Sequence, residues 1–203
     1  MKKEAVLYIH GKGGSAAECE HYRPLFPGCG VFGSRYRGST PWEAGREIRA
    51  EVEKLKGEYG GIILIANSVG AFYVMNAGID AVIKKAYFIS PIVGMEKLIL
   101  GMMKAEGVTE DELRSKGVIL FADGEELSWE YLCFVREHPI EWNAPTHILY
   151  AGKDFMTDPE TVRAFAEKHK ASLTVMEGGE HWFHTDEQMR FLDGWIRDKE
   201  GEQ

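Results

Sequence analysis

The most informative part of the sequence is IILIANSVGAFY, residues 62–73, where an apolar run leads into a serine between small residues and then into a helical stretch. A continuous apolar run of this length is typical of a strand covered on both faces. A sharp turn at Ser68 requires small residues two positions away on either side, and these are Ala66 and Gly70. The N-terminus of the following helix would offer N–H groups to a developing negative charge. The stretch therefore predicts that Ser68 is a nucleophile; a serine that only caps a helix is the alternative.

Short apolar strands alternate with amphipathic helices along most of the remaining sequence. The predicted strands cover residues 5–10, 30–33, 61–66, 86–90, 146–151 and 172–176. The predicted helices begin at Thr40-Pro41, Asp158-Pro159 and Thr185, and they end near Lys56, His169 and Asp198. This alternation indicates an α/β fold with a mainly parallel sheet and right-handed crossovers.

Residues 91–145 interrupt the alternation, since they are too many for one crossover between parallel strands. Apolar residues recur there at helical spacing, namely Met95, Leu98, Ile99, Met102 and Met103. Thr109 with Glu112 predicts the start of a second helix, and residues 128–137 predict a third. We therefore expect a single domain over residues 1–203 that carries a helical insertion at about 91–143.

A glycine-rich segment, HGKGGS at residues 10–15, ends the first predicted strand. Glycines at this place let the backbone approach a substrate and turn its N–H groups inward. Two phosphate-binding patterns do not fit. The third glycine of a dinucleotide-binding loop is replaced by Ala16, and the Gly-Lys-Ser/Thr of a Walker loop is absent. The segment therefore predicts a loop of backbone donors; a plain turn is the alternative.

A base and a carboxylate for Ser68 follow further along the chain. A nucleophilic serine needs a base, and the base needs a carboxylate that fixes its tautomer. Asp154 follows one predicted strand and His181 follows the next. Both would lie beyond the carboxyl ends of parallel strands, where α/β sheets bind ligands.

Two nearby residues compete for these roles. Asp158 is close to the candidate acid, but it precedes Pro159 and is better explained as a helix N-cap. His184 immediately precedes the Thr185 cap, so it is expected to orient the start of the helix or to line the site. His181 and His184 form a His-x-x-His pattern, but without further ligands nearby no metal site is expected.

The serine, aspartate and histidine in this order, together with the glycine-rich loop, resemble the motifs of the α/β-hydrolase superfamily of serine hydrolases. Residues 36–40, YRGST, also resemble that superfamily's Arg-Gly-x-x-Ser/Thr turn. The resemblance covers nearly the whole chain. It implies a three-layer fold of about six mainly parallel strands, with a helical cap inserted after the strand that follows the nucleophile helix. The sequence departs by beginning at the strand before the glycine-rich loop, without the usual N-terminal hairpin, and by having Ala66 where glycine is usual.

The resemblance and the chemistry together imply a role for each candidate. Ser68 would attack a carbonyl carbon, and His181 would take its proton and return it to the leaving group. Asp154 would hold the imidazole. The N–H of Val69 and an N–H near Lys12 would form the oxyanion hole.

A substrate pocket is expected around these groups. Its possible residues are His10, Met95, Met102, Trp129 and Trp182. The insertion is placed where the superfamily has its cap, so its methionines and Trp129 would roof an apolar acyl site; ordinary packing is the alternative. His10 is expected to support the donor loop, unless it is a core histidine. Arg35 and Arg37 would meet a substrate carboxylate, unless they belong to a solvated loop.

Composition and charge exclude several classes of protein. The net charge of −8 is a poor basis for binding a nucleic acid. No run approaches the roughly 18–20 apolar residues that span a bilayer, and the apolar stretch after the basic N-terminus is too short for a signal peptide. Three scattered cysteines, Cys19, Cys29 and Cys133, indicate a reducing compartment. We expect a cytoplasmic protein that uses no cofactor.

The sequence therefore predicts an enzyme, a serine hydrolase that cleaves a small or medium ester through an acyl-enzyme. An amide, a thioester or a carbon–carbon bond is the alternative target, because the same triad serves all of them. A ligand-binding protein that retains the fold without catalysis, and a structural partner that uses the cap as an interface, are alternatives from other classes. The sequence does not specify the oligomeric state.

Overall fold

A parallel sheet of six strands forms the centre of the fold in the computed structural model, which describes residues 3–122 and 124–201. Its strands are β1 (Ala5–Ile9), β2 (Gly30–Gly33), β3 (Ile62–Asn67), β4 (Ile83–Ile89), β7 (Thr146–Ala151) and β8 (Ser172–Met176). Two further strands, β5 (Val118–Leu120) and β6 (Glu126–Ser128), pair with each other outside this sheet. The central sheet has the order β2-β1-β3-β4-β7-β8, and its neighbouring strands are parallel. The predicted α/β class and its parallel sheet of six strands are confirmed.

In the described part of the chain, five helices flank this sheet and cover its apolar strands, namely α1 (Cys19–Tyr22), α2 (Pro41–Glu58), α3 (Val69–Met75), α7 (Pro159–Lys168) and α8 (Asp186–Gly201). Residues 94–140 of the chain contain α4 (Met95–Glu106), α5 (Glu110–Lys116) and α6 (Trp129–Glu137). Val6 and Tyr8 share one buried cluster with residues of α1 and α8. Leu7, equally buried, points to the opposite face because side chains alternate along a strand. Within the described residues, no helix is long and apolar enough to cross a membrane.

The predicted helix starts are present as hydrogen-bonded caps. The Thr40 hydroxyl accepts a hydrogen bond from the Glu43 N–H at 3.3 Å, with Pro41 at the first helical position of α2. The Thr185 hydroxyl likewise accepts from the Gln188 N–H at 3.2 Å, at the start of α8. These caps satisfy backbone donors that have no partner within the helix itself.

The structure contains elements that the sequence patterns did not predict. Short helical turns, including α1, occupy residues 16–25 between β1 and β2. β4 begins at Ile83 rather than at residue 86, and the insertion contains the antiparallel pair β5–β6 beside its three helices. These strands have only three residues each, and Val118 and Leu120 on β5 are 51% and 70% exposed. A strand this short and this exposed carries no readable apolar pattern.

Residues Gly94–Ile140 form a compact unit of their own, and the remaining described residues form another. The smaller unit contains α4, α5, α6 and the β5–β6 hairpin. Arg136 on α6 joins its helices, because the guanidinium pairs with Glu96 of α4 and Glu110 of α5, each at 2.7 Å. The role of this unit as a cap remains a prediction.

Candidate active site

Ser68 lies where β3 turns directly into α3, and its backbone has φ 52° and ψ −124°. Non-glycine residues rarely adopt a positive φ, so the surrounding contacts must hold this conformation. The Ser68 N–H donates to the carbonyl of Ile89 on β4 at 3.0 Å. The Ser68 carbonyl accepts from the N–H of Ile92 at 3.2 Å. The strained turn is therefore fixed to the neighbouring strand and presents Ser68 at the carboxyl end of the sheet.

Close backbone contacts explain the small residues around Ser68. A Cβ on Gly70 would lie 2.4 Å from the carbonyl oxygen of His10 and 2.9 Å from that of Ile9. A Cβ on Gly11 would lie 3.0 Å from the Cβ of Ser68. The loop after β1 thus packs directly on the serine turn, and glycine permits this approach from both sides.

Gly70→Ala is expected to destabilise the folded protein by about 3 kcal/mol, because the new methyl group would overlap two fixed carbonyls. Gly57→Ala is the matched control. Gly57 lies in α2 with nothing within 4 Å of its hypothetical Cβ, so alanine there should stabilise the protein by about 0.5–1 kcal/mol. Urea unfolding followed by circular dichroism measures both. Equal stabilities for Gly70→Ala and the wild type would contradict the packing described here.

Ser68, His181 and Asp154 are joined by hydrogen bonds in series. Ser68 Oγ lies 2.8 Å from His181 Nε2, and His181 Nδ1 lies 2.7 Å from Asp154 Oδ2. The Asp154 side chain is fully buried, and the His181 side chain is 11% exposed. The second carboxylate oxygen, Oδ1, accepts hydrogen bonds from the N–H groups of Met156 at 2.8 Å and Thr157 at 3.3 Å. The carboxylate is therefore held from one side by backbone donors and turned toward the imidazole on the other.

The turns after β7 and β8, which carry the acid and the histidine, pack directly against one another. A Cβ on Gly152 would lie 2.6 Å from the carbonyl oxygen of Glu177, so a larger residue would separate the turns. The Lys153 N–H donates to the carbonyl of Gly179 at 2.9 Å. The glycines that precede the aspartate and the histidine in sequence therefore bring the two side chains to one edge of the sheet.

The two competing residues are placed at helix starts. Asp158 caps α7, since its carboxylate accepts from the Thr161 N–H at 3.0 Å and from the Thr161 hydroxyl at 2.7 Å. The N–H of His184 donates to Gln188 Oε1 at 3.0 Å, and its ring stacks on Trp182 with centroids 4.5 Å apart. The prediction that Asp158 is a helix cap is confirmed.

Two buried tyrosines, Tyr36 and Tyr150, support the loops of the site through their hydroxyl groups. The Tyr36 hydroxyl donates to the carbonyl of His10 at 2.8 Å, and the two rings stack with centroids 4.3 Å apart. The Tyr150 hydroxyl donates to the carbonyl of Thr157 at 2.7 Å, and burial raises the pKa of Tyr150 to about 12. Tyr150 therefore remains a hydrogen-bond donor beneath the acid turn. Tyr36 belongs to the YRGST motif, whereas Tyr150 lies within a strand and carries no sequence signal.

Glu18 links the glycine-rich loop to β1 through its carboxylate. Its carboxylate accepts from the Ser15 N–H at 2.7 Å and from the Tyr8 hydroxyl at 2.5 Å. Burial raises the pKa of Tyr8, so this hydroxyl stays protonated and donates. Gly14 also packs against this carboxylate, since its hypothetical Cβ would lie 2.8 Å from Glu18 Oε1. The Ser-x-x-Glu spacing of a capping box was the sequence signal that would have identified this residue.

The other predicted site residues are distributed as follows. Val69 is the first residue of α3, and Lys12 lies in the glycine-rich loop. Met95 and Met102 on α4 and Trp129 on α6 belong to the smaller unit, and their role in a pocket remains a prediction. Residues 3–122 and 124–201 contain no group of three His, Cys, Asp or Glu side chains placed to hold a metal ion.

A cavity of about 800 Å³ lies along the outer edge of β2, between the short helical turns and α2. Its lining includes Phe32, Leu55 and Glu51. None of the three hydrogen-bonded residues of the candidate site lines it. The cavity is therefore separate from the serine turn.

The fold and the strained serine turn define the α/β-hydrolase class, and comparison with known proteins agrees. A sequence profile of the alpha/beta hydrolase family matches residues 6–193. The chain belongs to this family. The family and the fold support a hydrolase activity. Among proteins with curated descriptions, none matches the sequence.

Solved structures share the fold at low sequence identity. Est1E from Butyrivibrio proteoclasticus superposes with a TM-score of 0.79 at 19% identity, over 99% of this chain and 88% of that one. Alpha/beta hydrolase domain-containing protein 10 from mouse gives 0.73 at 15% identity, over 98% and 90%. The Pyrococcus furiosus esterase Pf2001 gives 0.60 at 19% identity, over 99% and 82%.

Proposed function

We propose that this protein is a serine hydrolase that cleaves a small or medium carboxylic ester through an acyl-enzyme intermediate. The observation that carries the proposal is the series of hydrogen bonds from Ser68 Oγ to His181 at 2.8 Å and from His181 to Asp154 at 2.7 Å. These three residues lie at the carboxyl end of a parallel sheet, where α/β sheets bind their ligands, and this placement also supports the proposal.

The geometry supports a two-step reaction. Ser68 Oγ attacks the ester carbonyl while His181 Nε2 takes the hydroxyl proton. The imidazolium then donates that proton to the leaving oxygen, the C–O bond breaks, and the acyl group remains on Ser68. In the second step His181 deprotonates a water molecule, which attacks the acyl carbon and releases the acid. Asp154 keeps Nδ1 protonated and stabilises the imidazolium throughout.

The oxyanion hole in this proposal is formed by the N–H of Val69 and an N–H near Lys12. Val69 opens α3, so its N–H belongs to the helix terminus that lies beside Ser68. The close contact of Gly11 with Ser68 supports the second donor, because it brings the glycine-rich loop to the reacting group. One such donor typically lowers the barrier by about 3 kcal/mol.

Some of the similar structures are named as esterases, among them Pf2001, and Est1E has also been solved with ferulic acid bound. These names favour an oxygen ester over other acyl substrates. A thioesterase domain from the curacin biosynthetic pathway shares the fold as well, with a TM-score of 0.60. Thioesters, amides and carbon–carbon bonds therefore remain competing substrates.

We also propose a cytoplasmic location, which the three free cysteines support.

A substrate panel tests the proposed reaction. We would compare p-nitrophenyl acetate and butyrate with an acetyl thioester and p-nitroacetanilide, and record the early burst of nitrophenol. The proposal predicts turnover of the esters, with a burst near one nitrophenol per chain if deacylation is slower than acylation. Turnover of the thioester alone would overturn the ester assignment. No turnover by folded protein would favour a binding protein that retains the fold.

Glu18→Gln is expected to lower kcat/KM for p-nitrophenyl acetate about 10-fold. The carboxylate of Glu18 accepts from the Ser15 N–H and from the Tyr8 hydroxyl with separate oxygens, whereas the glutamine amide has only one acceptor oxygen. Glu20→Gln is the control. Glu20 is exposed and pairs with Arg23 on the surface, so its substitution should change kcat/KM less than twofold. Steady-state kinetics of both variants measure the difference. Equal effects of the two substitutions would show that Glu18 does not position the loop.

A further inference from the structure

Two large aromatic side chains are exposed next to the histidine of the candidate site. Phe155 directly follows Asp154 and is 86% exposed, and Trp182 directly follows His181 and is 68% exposed. The next most exposed Phe, Trp or Tyr side chain in the described residues is Phe191, at 38%. Large apolar side chains that are exposed at one place on a surface mark a binding site more often than scattered ones do.

The Phe155 ring lies close to the catalytic imidazole. The centroids of the Phe155 and His181 rings are 6.0 Å apart, and the ring planes are inclined by 56°. The backbone on either side of Phe155 is fixed, because Asp154 Oδ1 accepts from the N–H groups of Met156 and Thr157. The turn thus holds Phe155 outside the core while it holds the acid inside.

The Trp182 ring is also held before any ligand arrives. It stacks on the ring of His184 with centroids 4.5 Å apart and planes inclined by 19°. His184 is in turn fixed to the start of α8 by its N–H, which donates to Gln188 Oε1. An aromatic side chain that is already ordered loses little conformational entropy when it binds a ligand.

We propose that Phe155 and Trp182 bind the alcohol part of an ester whose leaving group is aromatic. This inference rests on the proposed function and specifies its substrate class. In that reaction His181 donates a proton to the leaving oxygen, so the leaving group must lie on the His181 side of the scissile carbon. The acyl group, in contrast, stays bonded to Ser68. The Phe155 ring lies beside the His181 ring, and Trp182 directly follows His181 in the chain, so these two exposed rings are the ones placed to meet the leaving group.

Two ester series separate the two sides of the substrate. The first keeps the acetyl group and varies the alcohol, from ethyl acetate to benzyl and 2-naphthylmethyl acetate. The second keeps methanol as the leaving group and varies the acid, from methyl butyrate to methyl cinnamate. All acetates form the same acetyl-enzyme, so a contact with the alcohol alters acylation and leaves the deacylation rate unchanged.

Phe155→Ala and Trp182→Ala are expected to lower kcat/KM for the aromatic acetates about 10-fold relative to ethyl acetate. The methyl ester series should shift uniformly, by less than twofold. Phe191→Ala, which removes an exposed ring from α8, is the matched control and should change neither series. Phe155→Leu should restore part of the loss, because it replaces the apolar area without the ring.

Three results would overturn the inference. An equal loss for aromatic and ethyl acetates would mean that the two rings only support the histidine turn. A loss confined to methyl cinnamate would place the rings on the acyl side. The same selective loss in Phe191→Ala would deny the rings a specific role. If the folded wild type hydrolyses no ester, the proposed function fails as well, whereas the other outcomes leave it intact.

Discussion

Ser68→Ala is expected to lower kcat/KM for p-nitrophenyl acetate by at least about 10⁴-fold, while the midpoint of thermal unfolding changes little. The substitution removes Oγ, the atom that bonds to the substrate, and it keeps the Cβ that packs near Gly11. Removal of a triad nucleophile typically costs about 10⁴–10⁶ in rate, and the remaining catalysis comes from binding and the oxyanion hole. Initial rates at saturating and limiting ester, together with a melting curve, measure both quantities.

Ser90→Ala provides the matched control for this loss. Ser90 lies at the end of the neighbouring strand, is fully buried, and has a positive φ of 42°. Its Oγ makes no hydrogen bond within the described part of the chain. Alanine at position 90 should therefore leave kcat/KM within about twofold of the wild type. More than a tenth of the wild-type activity in Ser68→Ala, or a comparable loss in Ser90→Ala, would contradict the assignment of Ser68.

Asp154→Asn is expected to lower kcat about 10⁴-fold, whereas Asp158→Asn should change it less than threefold. Asp154 is the carboxylate that contacts His181, and an amide there would favour the wrong tautomer of the imidazole. Asp158 caps α7, and asparagine is as good an N-cap as aspartate. Steady-state kinetics on one ester at one pH compare the two variants directly.

Thermal unfolding distinguishes the two carboxylates further. Asp158→Ala should lower the stability by about 1 kcal/mol with kcat preserved, because it removes the cap and leaves the active site unchanged. A larger loss of kcat in Asp158→Asn than in Asp154→Asn would exchange the two roles. It would also require His181 to turn away from the carboxylate that it contacts in the structure.

The parallel sheet was predictable from the sequence because its strands are apolar at consecutive positions. All five residues of β1 and the first five of β3 are buried, which demands apolar residues on both faces. The serine turn was predictable because steric limits allow only small residues around Ser68. The acid and the histidine were predictable as candidates because each follows a strand of this sheet.

Other features depend on tertiary contacts that no local pattern records. The Ser15-x-x-Glu18 spacing marks Glu18 only as a capping-box residue, and its hydrogen bond from the Tyr8 hydroxyl, ten positions earlier, has no signal in the sequence. The strands β5 and β6 have three residues each and bury only Leu127 fully, so burial leaves no readable periodicity in their sequence. Trp182 was expected in the substrate pocket, whereas Phe155 was not, because the sequence alone does not show that this apolar residue lies outside the core.

The most direct test of the proposed nucleophile is labelling with a fluorophosphonate, which reacts covalently with activated serines. The probe would be added to folded wild type, to Ser68→Ala, and to heat-denatured protein, and the modified peptide would be identified by mass spectrometry. The proposed mechanism predicts one adduct per folded chain, located on Ser68, and none in the other two samples. Labelling at another residue, or a folded wild type that neither reacts with the probe nor hydrolyses p-nitrophenyl acetate, would contradict the activation of Ser68 by His181 and Asp154.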